Sequence, residues 1–281
     1  MMVSVVIPCY NQGAYLQDAI NSVLSQNYTN WEIIIVDDGS DDVETIKFLK
    51  NYKAEKISIY FQENNGVSVA RNFGAAQALG EYLLFLDGDD KIANEYLHFA
   101  IAAFIATPNL SYVYCDVQEF GETNNYRSLE LLDLKKTLIH DQTHVSAVLT
   151  FSLWKLTTGF DAAFRTGWED WDFIIRVLDL NVIYYKIPKA MLYYRIIKNS
   201  RDKIAVSLHS KALLNQIYLK HIDKYLKYFD EPITILRNNE ILQKNIVEQQ
   251  QHSSNIYKTF SYKLGATILM PLKFIKKYLF K

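Results

Sequence analysis

Cysteine is almost absent, with only Cys9 and Cys115 in 281 residues. Two thiols cannot supply a disulfide framework, and Cys9 lies in an apolar run, so reduced thiols in a cytosolic compartment are expected. No uninterrupted apolar stretch reaches about 18 residues, so no membrane-spanning helix is expected. The chain opens directly on Val3 to Pro8, without a basic segment, a long apolar core or a small-residue cleavage site. No signal peptide is expected. Repeats at solenoid periods are also lacking. Nor does the charge lean one way, since 30 Lys and Arg face 31 Asp and Glu. No nucleic-acid partner is expected.

What is present is a globular composition and enough chain for one large domain, or one domain with an appendage. The near-neutral total hides an asymmetry. Residues 206–281 carry twelve Lys/Arg against five Asp/Glu, and the remainder is acidic to a similar degree. A boundary near residue 205 is expected, with a domain over 1–205 and a helical, basic extension over 206–281.

The first hundred residues alternate between two hydrophobic periods. Val3 to Pro8 is a short apolar run rich in β-branched residues, as in a buried parallel strand. Leu16, Ala19, Ile20, Val23 and Leu24 then recur at helical spacing, which predicts a helix over 13–26. Ile33 to Val36 reads as a strand, 41–53 as a helix with Val43, Ile46 and Leu49 inward, and Ile57 to Phe61 as a strand. A helix over 67–79 and a strand over Tyr82 to Leu86 follow. This alternation predicts right-handed βαβ units and a mostly parallel, Rossmann-like sheet flanked by helices, an α/β fold. Ligands of such sheets bind beyond the carboxyl ends of the strands. Here those ends carry Tyr10-Asn11, Asp37-Asp38 and Asp87 to Asp90.

Asp87-Gly88-Asp89-Asp90 concentrates three carboxylates after a buried strand. On an extended segment, residues two apart point to one side, and hard oxygen donors suit Mg²⁺ or Mn²⁺ with a substrate's phosphates. A solvated turn before the next helix explains the same tetrapeptide equally well. Asp37-Asp38-Gly39-Ser40, on its own, reads more readily as a cap and turn. Arg71 has a structural reading too, as a partner of Asp37 or Asp38. His140, His144, His209 and His221 show no metal-ligand spacing.

Three segments taken together carry more. VSVVIPCYNQGAYLQDAINSVLSQNYTNWEIIIVDDGSDD, GVSVARNFGAAQALGEYLLFLDGDD and GFDAAFRTGWEDWDFIIRVL resemble glycosyltransferase family 2, in its order and spacing, over about residues 2–200. The resemblance implies a GT-A fold and an inverting transfer from a nucleotide-sugar donor, with UDP as the expected carrier. It implies that Pro8, Tyr10 and Asp38 cradle the nucleobase and that Arg71 neighbours the nucleotide. It places Asp87 near the ribose and phosphates, Glu169 on the donor side, and Asp89 on an Mg²⁺ or Mn²⁺ ion. Asp170 is implied as the general base, taking the proton of the acceptor hydroxyl. The implied acceptor is a saccharide or a lipid-linked glycan, in bacterial-type surface polysaccharide or glycolipid synthesis.

The sequence departs from the family in two places. Many relatives carry Tyr-Arg-x-His, whereas this chain has Tyr194-Arg195-Ile196-Ile197. Either another group completes the coordination or the metal is held less tightly, and Arg195, Lys198 and Arg201 then fit either a phosphate contact or a plain solvated loop. The Gln-x-x-Arg-Trp segment of processive synthases is also missing, which favours one sugar per encounter. Helices are expected over 207–229 and 235–250. The last twenty residues mix an apolar run, Ile268 to Leu272, with Lys263, Lys273, Lys276, Lys277 and Lys281. Such a segment suits either an interfacial contact with anionic lipid at the inner face of the cell membrane or a helix packed on protein.

Two other classes compete with this reading. A nucleotidyltransferase-like enzyme should carry a Gly-rich, Lys/Arg-bearing loop after the first strand, and Cys9 to Gly13 provides none. A catalytically silent binding protein on the same fold is disfavoured by the intact Asp87, Asp89 and Asp170.

Overall fold

The computed structural model describes residues 1–197, 209–230 and 232–258. Lys198, Arg201, the expected boundary near 205 and the Lys-rich segment 262–281 lie outside them. The chain divides into two compact units, Met1–Lys220 and His221–Lys281.

The first unit begins with the expected alternation. Strands β1 (Val3–Cys9), β2 (Trp31–Asp38), β3 (Ile57–Gln62) and β4 (Tyr82–Phe85) are linked by helices α1 (Gly13–Leu24), α2 (Val43–Asn51) and α3 (Val67–Ala76). All pairings among these four strands are parallel, in the order β3-β2-β1-β4. Successive β1 side chains serve opposite faces. Val3, Val5 and Ile7 join Leu16, Ile20 and Val23 of α1 in the main core. On the other face α3 comes so close that a Cβ on Gly74 would lie 2.4 Å from a methyl of Val6. Helices therefore cover both faces, as in a doubly wound sheet. Helix α2 corrects one expectation. Val43 is 77% exposed, and Thr45 with Leu49 are the residues buried.

Past β4 the sheet grows by longer routes. The elements β5 (Lys91–Ile92), α4 (Tyr96–Ala106), β6 (Leu110–Gly121), β7 (Tyr126–Arg127), α5 (Leu134–Thr137), β8 (Val148–Thr150), α6 (Phe151–Leu156), α7 (Glu169–Asp179) and β9 (Ile183–Ile196) follow in chain order. The strand order continues β4-β8-β6-β9-β5, with β7 beside β6. β8 is antiparallel to both β4 and β6, and β9 is parallel to β6. The long β6–β9 pairing skips Pro188 and Lys189, since Cys115 faces Ile187 and Asp116 faces Ala190. A proline cannot donate to a ladder, so it sits where the register breaks. Both cysteines are free and buried, Cys9 in β1 and Cys115 in β6. The result is the mixed α/β sheet flanked by helices that the GT-A expectation required.

Helix α8 (Ser210–Lys220) closes this unit by burying Leu213 and Ile217. Its Lys220 reaches Asp172 of α7 at 2.8 Å and also binds Asp161. The second unit is described as α9 (Ile222–Tyr228) and α10 (Pro232–Lys258). The expected helix over 207–229 is thus two helices, divided at His221. No helix among the described residues is long and apolar enough to cross a membrane.

Candidate functional site

The carboxyl ends of β1, β2 and β4 open on one cavity of about 360 Å³. Pro8, Tyr10, Asp38, Arg71, Asp87 and Asp89, six of the eight residues expected at the site, line it. Asn11 takes a left-handed conformation, φ 53°, directly after β1. Its side-chain oxygen accepts from the backbone N–H groups of Asp41 and Asp42, which ties the β1 and β2 ends together. Beside it Tyr10 is 45% exposed, so its ring is available as a stacking face. Asp38 is buried and already accepts from Gln62 Nε2 at 2.7 Å, Asn65 N at 2.9 Å and Gly66 N at 2.8 Å. A carboxylate has about four acceptor positions, which leaves roughly one for a ligand.

The Asp87–Asp90 segment is not extended. The Asp90 N–H donates to Asp87 O at 3.0 Å, so the tetrapeptide is a turn, and spacing on an extended chain does not explain its geometry. The turn nevertheless presents both Asp87 and Asp89 to the cavity. Gly88 packs beneath Gln12, and a Cβ there would lie 2.7 Å from Gln12 Oε1, so the Gln12 side chain would have to shift. Gln12 itself donates to Asp89 Oδ1 at 3.1 Å. Asp90 turns inward and accepts from the Arg195 N–H at 2.8 Å. Burial, followed by the nearby charges of Asp89 and Asp87, holds its carboxyl well above the usual range.

Arg71 is 1% exposed and donates to Asp87 at 2.5 Å and to Glu169 at 2.8 Å. The expected pairing with Asp37 or Asp38 is therefore replaced by one that joins two distant segments. Burial alone would lower the guanidinium pKa, but the charges of Asp87 and Glu169 more than offset it and the net shift is upward. The face of Phe160 adds a contact at 5.2 Å. Glu169 and Asp170 do not line the cavity. They begin α7, whose N-cap, Trp168, is left-handed with φ 64°. Asp170 is half-buried, and its oxygen accepts from the Trp171 N–H at 2.9 Å. Its charge also acts on Arg71.

Residue-type reasoning passed over Gln12 and Arg165. Both line the cavity. Gln12 had a signal in its place directly after Tyr10-Asn11, whereas Arg165 lies in a loop with nothing to mark it. Arg195 also lines the cavity, but its contacts are largely taken. It donates to Asp89 O at 2.7 Å and to Asp18 at 2.7 Å, and it lies over the rings of Tyr15 and Phe120.

Among the described residues no cluster of three or more His, Cys, Asp or Glu could enclose a metal ion. The donor set does fit a hard cation held by one or two carboxylates, with the remaining oxygens coming from substrate phosphates and water. Asp87 is ion-paired with Arg71, whereas Asp89 Oδ1 meets the neutral amide of Gln12.

The sequence matches the family described as Glycosyl transferase family 2 over residues 4–195. An uncharacterized glycosyltransferase of Haemophilus influenzae is 36% identical over 124 residues, 42% of this chain and 49% of the relative. The putative teichuronic acid biosynthesis glycosyltransferase TuaG of Bacillus subtilis is 46% identical over 93 residues, 32% of this chain and 36% of the relative. The matched stretches thus span half or less of these relatives. The fold is similar to that of S. aureus TarS 1–349 in complex with UDP-GlcNAc, with a TM-score of 0.63 at 22% identity, covering 82% of this chain and 74% of that one.

Proposed function

The chain belongs to glycosyltransferase family 2, and from that premise we propose that it moves a sugar from a nucleoside diphosphate onto an acceptor hydroxyl in surface polysaccharide or glycolipid synthesis. The observation that carries this reading is the convergence of three strand ends on one cavity, with an aromatic face at Tyr10 and carboxylates at Asp38, Asp87 and Asp89. UDP is the proposed carrier. TuaG is named for teichuronic acid biosynthesis and TarS was crystallised with UDP-GlcNAc, which supports both choices.

In this reading Pro8 and Tyr10 hold the base, and Asp38 offers it the acceptor position left over from its three protein contacts. Asp89 would hold an Mg²⁺ or Mn²⁺ ion, which would offset the charge of the leaving diphosphate. Arg71 fixes the Asp87 carboxylate beside the donor. Through Glu169 it also fixes the start of α7, where Asp170 takes the proton of the acceptor hydroxyl. Attack from the face opposite the diphosphate inverts the anomeric centre.

Calorimetric titration of UDP with and without Mn²⁺ tests the donor site. The wild-type chain should bind UDP more tightly with Mn²⁺, and Asp89→Ala should lose that dependence. Unchanged Mn²⁺ dependence in the variant would remove Asp89 from the metal site.

A further inference from the structure

A second hollow, of about 750 Å³, lies beside the cavity just described. Arg195 links the two, since it lines the first and donates to Asp18, which lines the second. Asp18, Asn21 and Ser25 recur at helical spacing and place one exposed face of α1 on the hollow. The other side comes from β5 with its following loop, through Asn94, and from Tyr193 of β9.

The hollow is preformed. Asn27 N donates to Asn94 O at 2.9 Å, Ser25 Oγ to Asn94 Oδ1 at 3.1 Å, Gln26 Nε2 to Ala93 O at 2.7 Å and Ile92 N to Ser22 Oγ at 3.2 Å. These bonds stitch α1 to the β5 loop, so a ligand would not have to order the walls.

Its chemistry is selective. The lining is rich in amides and hydroxyls, which can both donate and accept, and Tyr193 exposes part of its ring. The described lining carries three charged residues, Asp18, Glu95 and Lys91, with one more acid than base. Asp18 is bound to Arg195, and Lys91, the only cation among the described lining residues, lies over Phe120 at 4.3 Å. Among the described residues the lining offers no concentration of cations to a phosphate or a uronate. Amide pairs suit vicinal hydroxyls, and an aromatic face suits the C–H side of a pyranose ring. The volume falls within the range of ligand pockets, ~300–1,000 Å³.

We propose that this hollow is a second saccharide subsite, which holds an uncharged, hydroxyl-rich part of the acceptor glycan away from the reacting hydroxyl. The word acceptor rests on the glycosyl-transfer reading above, but the subsite rests on its own lining. Binding at such a remote point positions the reacting end.

NMR titration of the full chain tests it, with maltotetraose, cellotetraose and chitotetraose as neutral probes and tetragalacturonate as the anionic one. UDP with Mn²⁺ is titrated in parallel. At least one neutral probe should bind and shift the Tyr193 ring resonances. Its affinity should fall about tenfold or more in Tyr193→Ala and in Asn94→Ala. UDP affinity should stay at the wild-type level in both, which also shows that they fold. Binding of no neutral probe, stronger binding of tetragalacturonate, or wild-type affinity in both variants would overturn the proposal. Failure of the wild-type chain to bind UDP would strike the donor reading instead.

Discussion

The two halves of Met1–Lys220 share one sheet, but contacts of different range assemble them. Strands β1 to β4 are consecutive in the chain and pair only with one another until β8 joins β4. Beyond that edge, β5 pairs with β9 across 102 positions, Lys91 facing Tyr193, and β6 takes β9 as a parallel neighbour. The polar groups follow the same division. Asn11 fixes the first two strand ends through residues about thirty positions away, whereas Arg71 binds Glu169 across 98 positions. The strand ends that carry Pro8, Tyr10 and Asp38 are thus placed by consecutive βα units, while the start of α7 depends on the whole sheet having closed.

The largest expected effect separates the halves by chemistry. Asp170→Asn keeps the shape of the α7 start but cannot take a proton. Turnover should fall by roughly 10²–10⁴-fold, with UDP affinity unchanged when both are measured on one preparation. Lost UDP binding in this variant would show that the halves are not separable there. Next comes the link between them. Arg71→Met strands the Asp87 and Glu169 carboxylates beside an apolar chain, a loss of about 3–5 kcal/mol for a broken buried pair, read from urea unfolding. A loss below ~1 kcal/mol would mean that the halves meet without the guanidinium.

The smallest effect asks whether the halves unfold together. His144, just before β8, is buried against the Cys115 carbonyl, and burial lowers its pKa to about 4. Near pH 5 the unfolded chain, with an ordinary histidine near 6.5, binds the extra proton and the folded chain does not. Stability should therefore fall as pH drops from about 6.5 to about 4, by up to ~1.4 kcal/mol per pH unit, and level off below. His144→Gln should remove that slope. A single transition by near- and far-ultraviolet circular dichroism is expected. Two separated transitions would show that the second half opens alone.

The same division governs how much could be read from the residues. Runs such as Val3 to Pro8 and Ile33 to Val36 encode a buried strand locally, and the site residues that follow them sit at strand ends by necessity. Val43 misled because an apolar residue near a helix start fits the helical period even when that face meets solvent. The turn at Asp87–Asp90 is closed by a hydrogen bond within it, and Gln12 lies over Gly88; spacing reveals neither. The Arg71–Glu169 pair, the bulge at Pro188 and the hollow beside Asp18 arise between segments far apart in the chain. No local pattern encodes them.

The two cysteines give this division a clock. Cys9 stands in β1 and Cys115 in β6, and burial pushes both thiols up to about 12. The thiolate is the reactive form, so in the closed protein neither group answers an alkylating reagent at neutral pH. Each is modified when its own strand becomes accessible. The unmodified chain therefore carries one timer on either side of β4, and the ratio of the two alkylation rates measures which side of the sheet breathes first.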